Sequence, residues 1–262
     1  MKTLVDFAYT VLTEPNPATK VSLTREFTNL WKTSSIYTIG NTLLPDQPAR
    51  KTKPELRPHY EMPKRNLQNQ AGRVAFIHAI AHIELNAINL AWDTIGRFYS
   101  ENLPKDFYSD WLDVALDEAE HFDLLSKRLL DLGSFYGNYP AHNGLWEAAI
   151  NTSDDIAARL ALVPMVLEAR GLDTTPKAIK KLYDAGDNKS AMILEKIALE
   201  EIPHVATGVR WFEYICSKRA INPITEFHRL VAERFKGKLK PPFNKVARDK
   251  AHLSPAYYLP LS

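Results

Sequence analysis

Glu84, Glu118, His121, Glu168, Glu201 and His204 follow one another along four helical stretches in the order Glu, Glu-x-x-His, Glu, Glu-x-x-His. One carboxylate from each of two helices, plus a carboxylate and an imidazole from each of two others, is the donor set of a dimetal-carboxylate centre inside a four-helix bundle. Carboxylate and imidazole donors suit iron, with manganese close behind. Such a centre turns a helical scaffold into an oxygen-activating or iron-handling protein.

One Glu-x-x-His carries little weight. With 16 Glu and 8 His in 262 residues, chance predicts about 0.5 such pairs. The sequence holds two, and their spacing to the lone glutamates repeats. Glu84 precedes Glu118 by 34 residues, and Glu168 precedes Glu201 by 33. The repeated unit is a helix-turn-helix carrying Glu and then Glu-x-x-His.

These residues need helices to position them. Ile77, Ile80, Ala81, Ala87, Ile88, Ala91 and Ile95 surround Glu84 at the three-and-four spacing of a buried stripe. Trp111, Val114, Leu125 and Leu129 do the same for Glu118 and His121. Leu160, Ala161, Pro164 and Leu167 accompany Glu168. Leu194, Ile197, Ala198, Val205, Gly208, Trp211 and Ile215 accompany Glu201 and His204. Four carboxylates at core positions must protonate or meet a compensating charge. No lysine lies on those stripes, whereas two divalent cations balance four negative charges.

Metal-bound histidines commonly donate their other ring nitrogen to a carboxylate. Asp117 and Glu200 directly precede Glu118 and Glu201. In an antiparallel bundle Asp117 could reach His204 and Glu200 could reach His121. A surface acid flanking the buried one stays open as the alternative for each. Pro164 and Pro203 interrupt the third and fourth helices, where an interior proline removes a hydrogen bond and bends the axis. Each bend either shapes an open coordination position or simply accommodates packing.

The stretches "GRVAFIHAIAHIELNAINLAWD", "FYSDWLDVALDEAEHFDLLSKRLLDLGSFYGNYPAHNGLWEAA", "ARLALVPMVLEARGLDTTP", "EEIPHVATGVRWF" and "GKLKPPFNKVAR" together resemble a bacterial ferritin-like family known as domain of unknown function 455. The resemblance runs from about Pro48 to about Arg248. It implies an all-α, ferritin-like four-helix bundle with a long crossover, holding the six ligands named above. More distantly, the arrangement is similar to di-iron tRNA hydroxylases that act on isopentenylated adenosine, a link of fold and ligands only. The C-terminal "AHLSPAYYLPLS" departs from the family's more glycine-containing end.

Composition sets bounds on the rest. The 262 residues fit one domain with extensions. Apolar content of 45% is enough for a sizeable core, and a formal net charge of +2 gives no global pull toward nucleic acid or membrane. The single cysteine, Cys216, excludes an internal disulfide and suits a reducing compartment; at its core position it reads as a small buried hydrophobe. The N-terminus lacks a signal-peptide pattern, and no uninterrupted apolar run reaches the roughly 18 residues of a membrane span. A cytoplasmic protein with no membrane partner is expected.

The expected layout is a single ferritin-like domain over 1–262. Residues 1–66 supply short helices and a Pro/Lys/Arg-rich strap over 41–66. Residues 67–219 supply the bundle, and 220–262 a C-terminal helix and a basic tail. Bundle helices are expected over about Gln68–Ser100, from Pro104 to near Gly133, from a Ser153 or Asp154 cap to Gly171, and over about Asn188–Arg219. The connection "GSFYGNYPAHNGLWEAAINTS" is the expected crossover loop. A short helix from Thr174 to Ala185 and another over Pro223–Phe235 complete the set. The tail's Lys236, Lys238, Lys240, Lys245, Arg248 and Lys250 face a single acid, Asp249. That run reads as a solvated loop, with a nucleic-acid footprint as the alternative.

His78 and His82 could form a second metal pair, but they point away from Glu84 and read better as interhelical hydrogen-bonding groups. His142 either approaches a site or locks its loop. Arg170 pairs with Asp173 or binds an anionic substrate, the former leading.

The function that follows is an oxygen-activating oxidase or hydroxylase. It would use two metal ions (iron, or manganese, or one of each), dioxygen, an external electron donor, and a small organic substrate or a tRNA. A non-enzymatic iron-binding or iron-oxidising protein and a purely structural metal site are the other readings. No phosphate loop, Ser-His-Asp set or cysteine-rich zinc pattern is present.

Overall fold

A computed structural model describes residues 2–35, 38–63, 65–235 and 237–262. Among these the chain is all-α, with no strand and one isolated parallel bridge between Leu56 and Ala141. It forms two compact units, Met1–Trp146 and Glu147–Ser262.

The first unit is built on α3 (Gln70–Arg97) and α4 (Lys105–Asp131), which pack against each other along their length. Asn69 starts α3 by accepting from the Gly72 N–H at 2.8 Å. At the far end of α4, Gly133 takes a left-handed φ of +75°, and the Ser134 N–H returns to the Leu129 carbonyl at 2.8 Å. Twenty residues of α3 are buried, because α4 covers one side and α1 (Leu4–Thr13) another. α3 is therefore long and apolar enough to cross a membrane, yet 78% of its most apolar window is buried inside this protein.

α1 opens with a reciprocal cap: the Asp6 N–H donates to Thr3 Oγ1, and the Thr3 N–H donates to Asp6 Oδ2. Asn16 and Pro17 start α2 (Pro17–Lys32), so the "NPATK" segment ends one helix and begins the next. α2 packs on α4, where Trp31 Nε1 donates to Ser109 Oγ at 2.9 Å; Trp92 Nε1 of α3 donates to Thr24 Oγ1 at 3.0 Å. The stretch around residues 45–49 is hydrogen-bonded to the first unit. The Ala49 N–H donates to the Leu12 carbonyl, Arg97 Nη2 to the Pro45 carbonyl, and Trp146 Nε1 to the Asp46 carbonyl.

The expected crossover loop contains a helix, α5 (Gly144–Ile150), that buries Trp146 and Ala149. The segment is seven residues long, too short to show a period in the sequence.

In the second unit, Asp155 rather than Ser153 or Asp154 caps α6 (Ile156–Leu162), accepting from the Ala157 N–H at 3.0 Å. A π-helical turn, Val163–Glu168, follows, and α7 (Ala169–Asp184) continues without a break. The expected end at Gly171 and restart at Thr174 are thus replaced by one helical run. Gly171 is not left-handed, and the donor missing at Pro176 is replaced from outside: Asn244 Nδ2 donates to the Leu172 carbonyl at 3.1 Å. α8 (Asn188–Lys218) packs on α6, the π turn and α7, and α9 (Pro223–Arg234) packs on α6 and α8.

α10 (Lys245–Lys250) and α11 (Pro255–Tyr258) close the unit. The C-terminal stretch is packed, with Tyr257 Oη donating to Glu213 Oε1 at 2.7 Å. Arg248 turns inward from the basic tail and is 3% exposed. It bonds both oxygens of Asp173, at 2.9 and 2.7 Å, and lies over the Phe243 and Tyr258 rings. Arg170 also reaches Asp173 Oδ2, at 3.7 Å. Lys236 lies outside the described residues. Cys216 is fully buried, and burial pushes its thiol up to about 11, in keeping with a packing role.

Removing one partner of a buried ion pair leaves the other charge stranded. Asp173→Ala is expected to cost about 3–5 kcal/mol, measured as a lower midpoint in urea denaturation.

Candidate metal centre

Glu84 sits at the middle of α3, on the stripe of Ile77, Ala81, Ile88, Ala91 and Ile95, all of them buried. Glu118 and His121 lie one turn apart on α4 and are fully buried, while Glu84 is 4% exposed. The α3–α4 packing brings the three together. His121 Nδ1 is 3.6 Å from Glu84 Oε2 and 3.7 Å from Glu118 Oε2. One ligand atom from each lies within 4.8 Å of the others, a spacing at which a single cation can touch all three donors.

Burial and the close approach of the three groups set the electrostatics of the cluster. Burial, and then the negative charge of Glu118, hold the Glu84 carboxyl well above the usual carboxylate range. Burial opposes charge on His121 as well, but hydrogen bonding and attraction from Glu118 and Glu84 outweigh it and push the imidazolium up to about 11. Protons thus take the place that a cation would fill. Metal binding at such a cluster must displace them.

The second unit carries the matching donors. Glu201 and His204 are one turn apart on α8, with His204 Nδ1 3.7 Å from Glu201 Oε2. His204 is buried and the Glu201 side chain is 14% exposed. Glu168 is the last residue of the π turn that packs on α8. Such wide turns in otherwise regular helices recur at functional sites. The Ala169 N–H donating to the Pro164 carbonyl marks the five-residue spacing. Pro164 therefore does more than bend the helix. It lies against Gly208, one turn beyond His204, where an added Cβ would fall 2.4 Å from the proline Cβ and Cγ. The proline signalled a disturbance in the sequence, but a widened turn has no residue signature of its own.

Asp117 is half-buried on α4. Glu200 is half-exposed and pairs with Lys196 one turn earlier. The two further histidines of α3 hold a loop. His78 Nε2 accepts from the Gly137 N–H at 2.9 Å, and His82 Nδ1 lies 2.8 Å from Tyr136 Oη with the rings stacked. His142 Nδ1 accepts from the Gly144 N–H at 3.2 Å.

The raised Glu84 and His121 values fix the sign of a pH dependence. The metal-free folded protein keeps protons that the unfolded chain releases above the ordinary values of 4.5 and 6.5. Stability of the metal-free protein should therefore fall as pH rises from about 4.5 toward 11. Glu84→Gln should flatten the acidic part of that slope in urea titrations with chelator, and the same variant should bind Fe(II) or Mn(II) at least about tenfold more weakly.

No solved structure matches this chain. An uncharacterised protein of Haemophilus influenzae is 44% identical over 184 residues, covering 68% of this chain and 64% of the relative, so the match spans less than two thirds of that protein's length. The family model described as "Protein of unknown function (DUF455)" matches residues 13–259, a span that includes all six candidate ligands, and the chain belongs to that family.

Proposed function

We propose that this chain is a dimetal-carboxylate protein with a ferritin-like bundle, and that it works as an oxygen-activating oxidase or hydroxylase. The observation that carries this reading is the buried Glu84–Glu118–His121 cluster, whose carboxylates and imidazole match the donors preferred by iron. The repeat of the same donor types as Glu168, Glu201 and His204 supports a second equivalent half. The six side chains together would hold two metal ions, iron before manganese or a mixed pair. Asp117 and Glu200 are proposed to orient the histidine ligands.

When bound, two such ions would supply the activation of dioxygen, which no side chain here performs alone. The chain's own residues fix the donors on rigid helices and keep water away from the fully buried Glu118 and His121. Glu84 and Glu118 would supply the carboxylate donors in the first unit and His121 the imidazole. In a hydroxylation, one oxygen atom of dioxygen enters the substrate and the other leaves as water, with two electrons and two protons from an external donor. The organic substrate is proposed to be a small molecule or a modified nucleoside of tRNA, and the protein to act in the cytoplasm.

The test is metal content after anaerobic purification, followed by the ultraviolet–visible spectrum as air is admitted. About two irons per chain and a new oxo-bridge absorption are expected. Two metals without an oxygen response would remove the oxidase reading, and no metal would remove the site. Glu118→Ala combined with Glu201→Ala should abolish metal binding and leave the helical circular dichroism in place; retention of two metals would reject these ligands.

A further inference from the structure

Beneath the strap, the first unit holds a narrow, partly open cavity of about 40 Å³. Its lining contains Lys20 and the cationic residues Arg50, Lys51 and Lys53, and no aspartate or glutamate, although Glu14 acts on Lys20 from nearby. Lys20 is 1% exposed at the floor, while the other three are exposed strap residues at the rim. A concave surface with one sign of charge and apolar walls of proline and leucine concentrates field from that charge.

Hydrogen-bond bookkeeping shows which polar groups remain available. Lys20 Nζ donates to the Val11 carbonyl at 2.7 Å, the Leu12 carbonyl at 3.4 Å and Asn89 Oδ1 at 2.9 Å. That uses all three ammonium hydrogens. Asn89, 4% exposed, accepts with its oxygen, so its Nδ2 hydrogens are turned elsewhere, and no other bond joins that side chain among the described residues. On the wall, Asn86 Nδ2 donates to His82 Nε2 at 3.0 Å and to the His82 carbonyl at 2.9 Å. With Nε2 accepting from Asn86, the neutral His82 ring holds its proton on Nδ1, which faces Tyr136 Oη, and the ring also bonds the His142 backbone. Burial keeps the ring neutral, its pKa pushed down to about 3. The Tyr136 hydroxyl hydrogen is then left to donate to a further acceptor. The cavity offers two neutral donors at depth and positive charge at the rim, a set complementary to an oxyanion.

His82, Asn86 and Asn89 lie roughly 140–200° around α3 from Glu84, at about 100° per residue. The cavity thus opens on the opposite side of the helix from the metal cluster.

We propose that this cavity binds a small anion through a carboxylate or phosphate group, held by Asn89 Nδ2 and Tyr136 Oη and drawn in by Arg50 and Lys53, at a site separate from the metal centre. Calorimetric titration of the full chain with sodium phosphate and with sodium acetate, each against the same concentration of chloride, tests this. Saturable binding of phosphate alone identifies a phosphorylated ligand, and of acetate alone a carboxylate. Asn89→Asp keeps the side-chain shape and pairs with Lys20, so it should remain folded yet repel the anion and weaken binding at least about tenfold. Arg50→Gln with Lys53→Gln, both at exposed positions, should weaken it by about tenfold. Glu118→Ala should bind the anion as the unaltered protein does. The proposal fails if neither anion binds more tightly than chloride, if Asn89→Asp or the rim variant binds unchanged, or if Glu118→Ala abolishes binding, which would place the anion at the metals. The Asn89 and rim variants also separate this site from the proposed oxidase function, since neither Asn89 nor the rim belongs to the six ligands.

Discussion

A carboxylate cannot be buried as an ion unless something positive is buried with it. That constraint governs the interior of this protein. It explains why Glu84, Glu118 and His121 must be considered together: each is buried, and the protonation of Glu84 and of His121 is set by burial and by the neighbouring members of the cluster. Helix packing brings two acids and an imidazole within reach of one point, and the energetic conflict so created is resolved by protons or by a metal ion.

The remaining buried charges follow the same rule by other means. Asp93, fully buried, is bonded by the Arg97 guanidinium four residues on. Arg159 donates to Thr152 Oγ1 and the Ala149 carbonyl, fastening α6 to the end of α5. Asp173 and Arg248 neutralise one another while two aromatic rings shield the guanidinium. Lys20 is supported by neutral carbonyl oxygens and an amide, and burial lowers its pKa to about 7. These structural charges meet an opposite charge or a ring of dipoles, whereas the Glu84 cluster sets two buried carboxylates against the His121 imidazole. That difference separates a site from a strut.

Long helices with a clear apolar stripe could be read directly from the residues. α3, α4 and α8 fall within a few residues of their expected ends, because asparagine, aspartate and proline at the starts state the caps chemically. The Glu84, Glu118 and His121 grouping was equally visible, since the stripe that buries them also fixes their direction. What escaped was whatever depends on contacts distant in sequence. α5 has no period to detect over seven residues. The run through Gly171 and Pro176 is sustained by Asn244, some 70 residues away. Arg248 resembles any other member of a basic run until Asp173 is placed beside it. The cavity under the strap is assembled from four separated segments, and Lys20 at its floor carries no local mark of burial.

The widened turn at Val163–Glu168 bears on how this helix compares with a regular one. A π-turn is geometrically an α-helix into which one residue has been inserted. Each inserted residue rotates everything after it by roughly 100°. α6 and α7 therefore present different azimuths to α8 than an unbroken helix would, and Glu168 owes its direction to that offset. A homologous chain lacking one residue between Ile156 and Glu168 would keep the helix and the glutamate but aim the carboxylate at another neighbour. The length of this segment, as much as the identity of its acid, would then decide whether a relative retains the same chemistry.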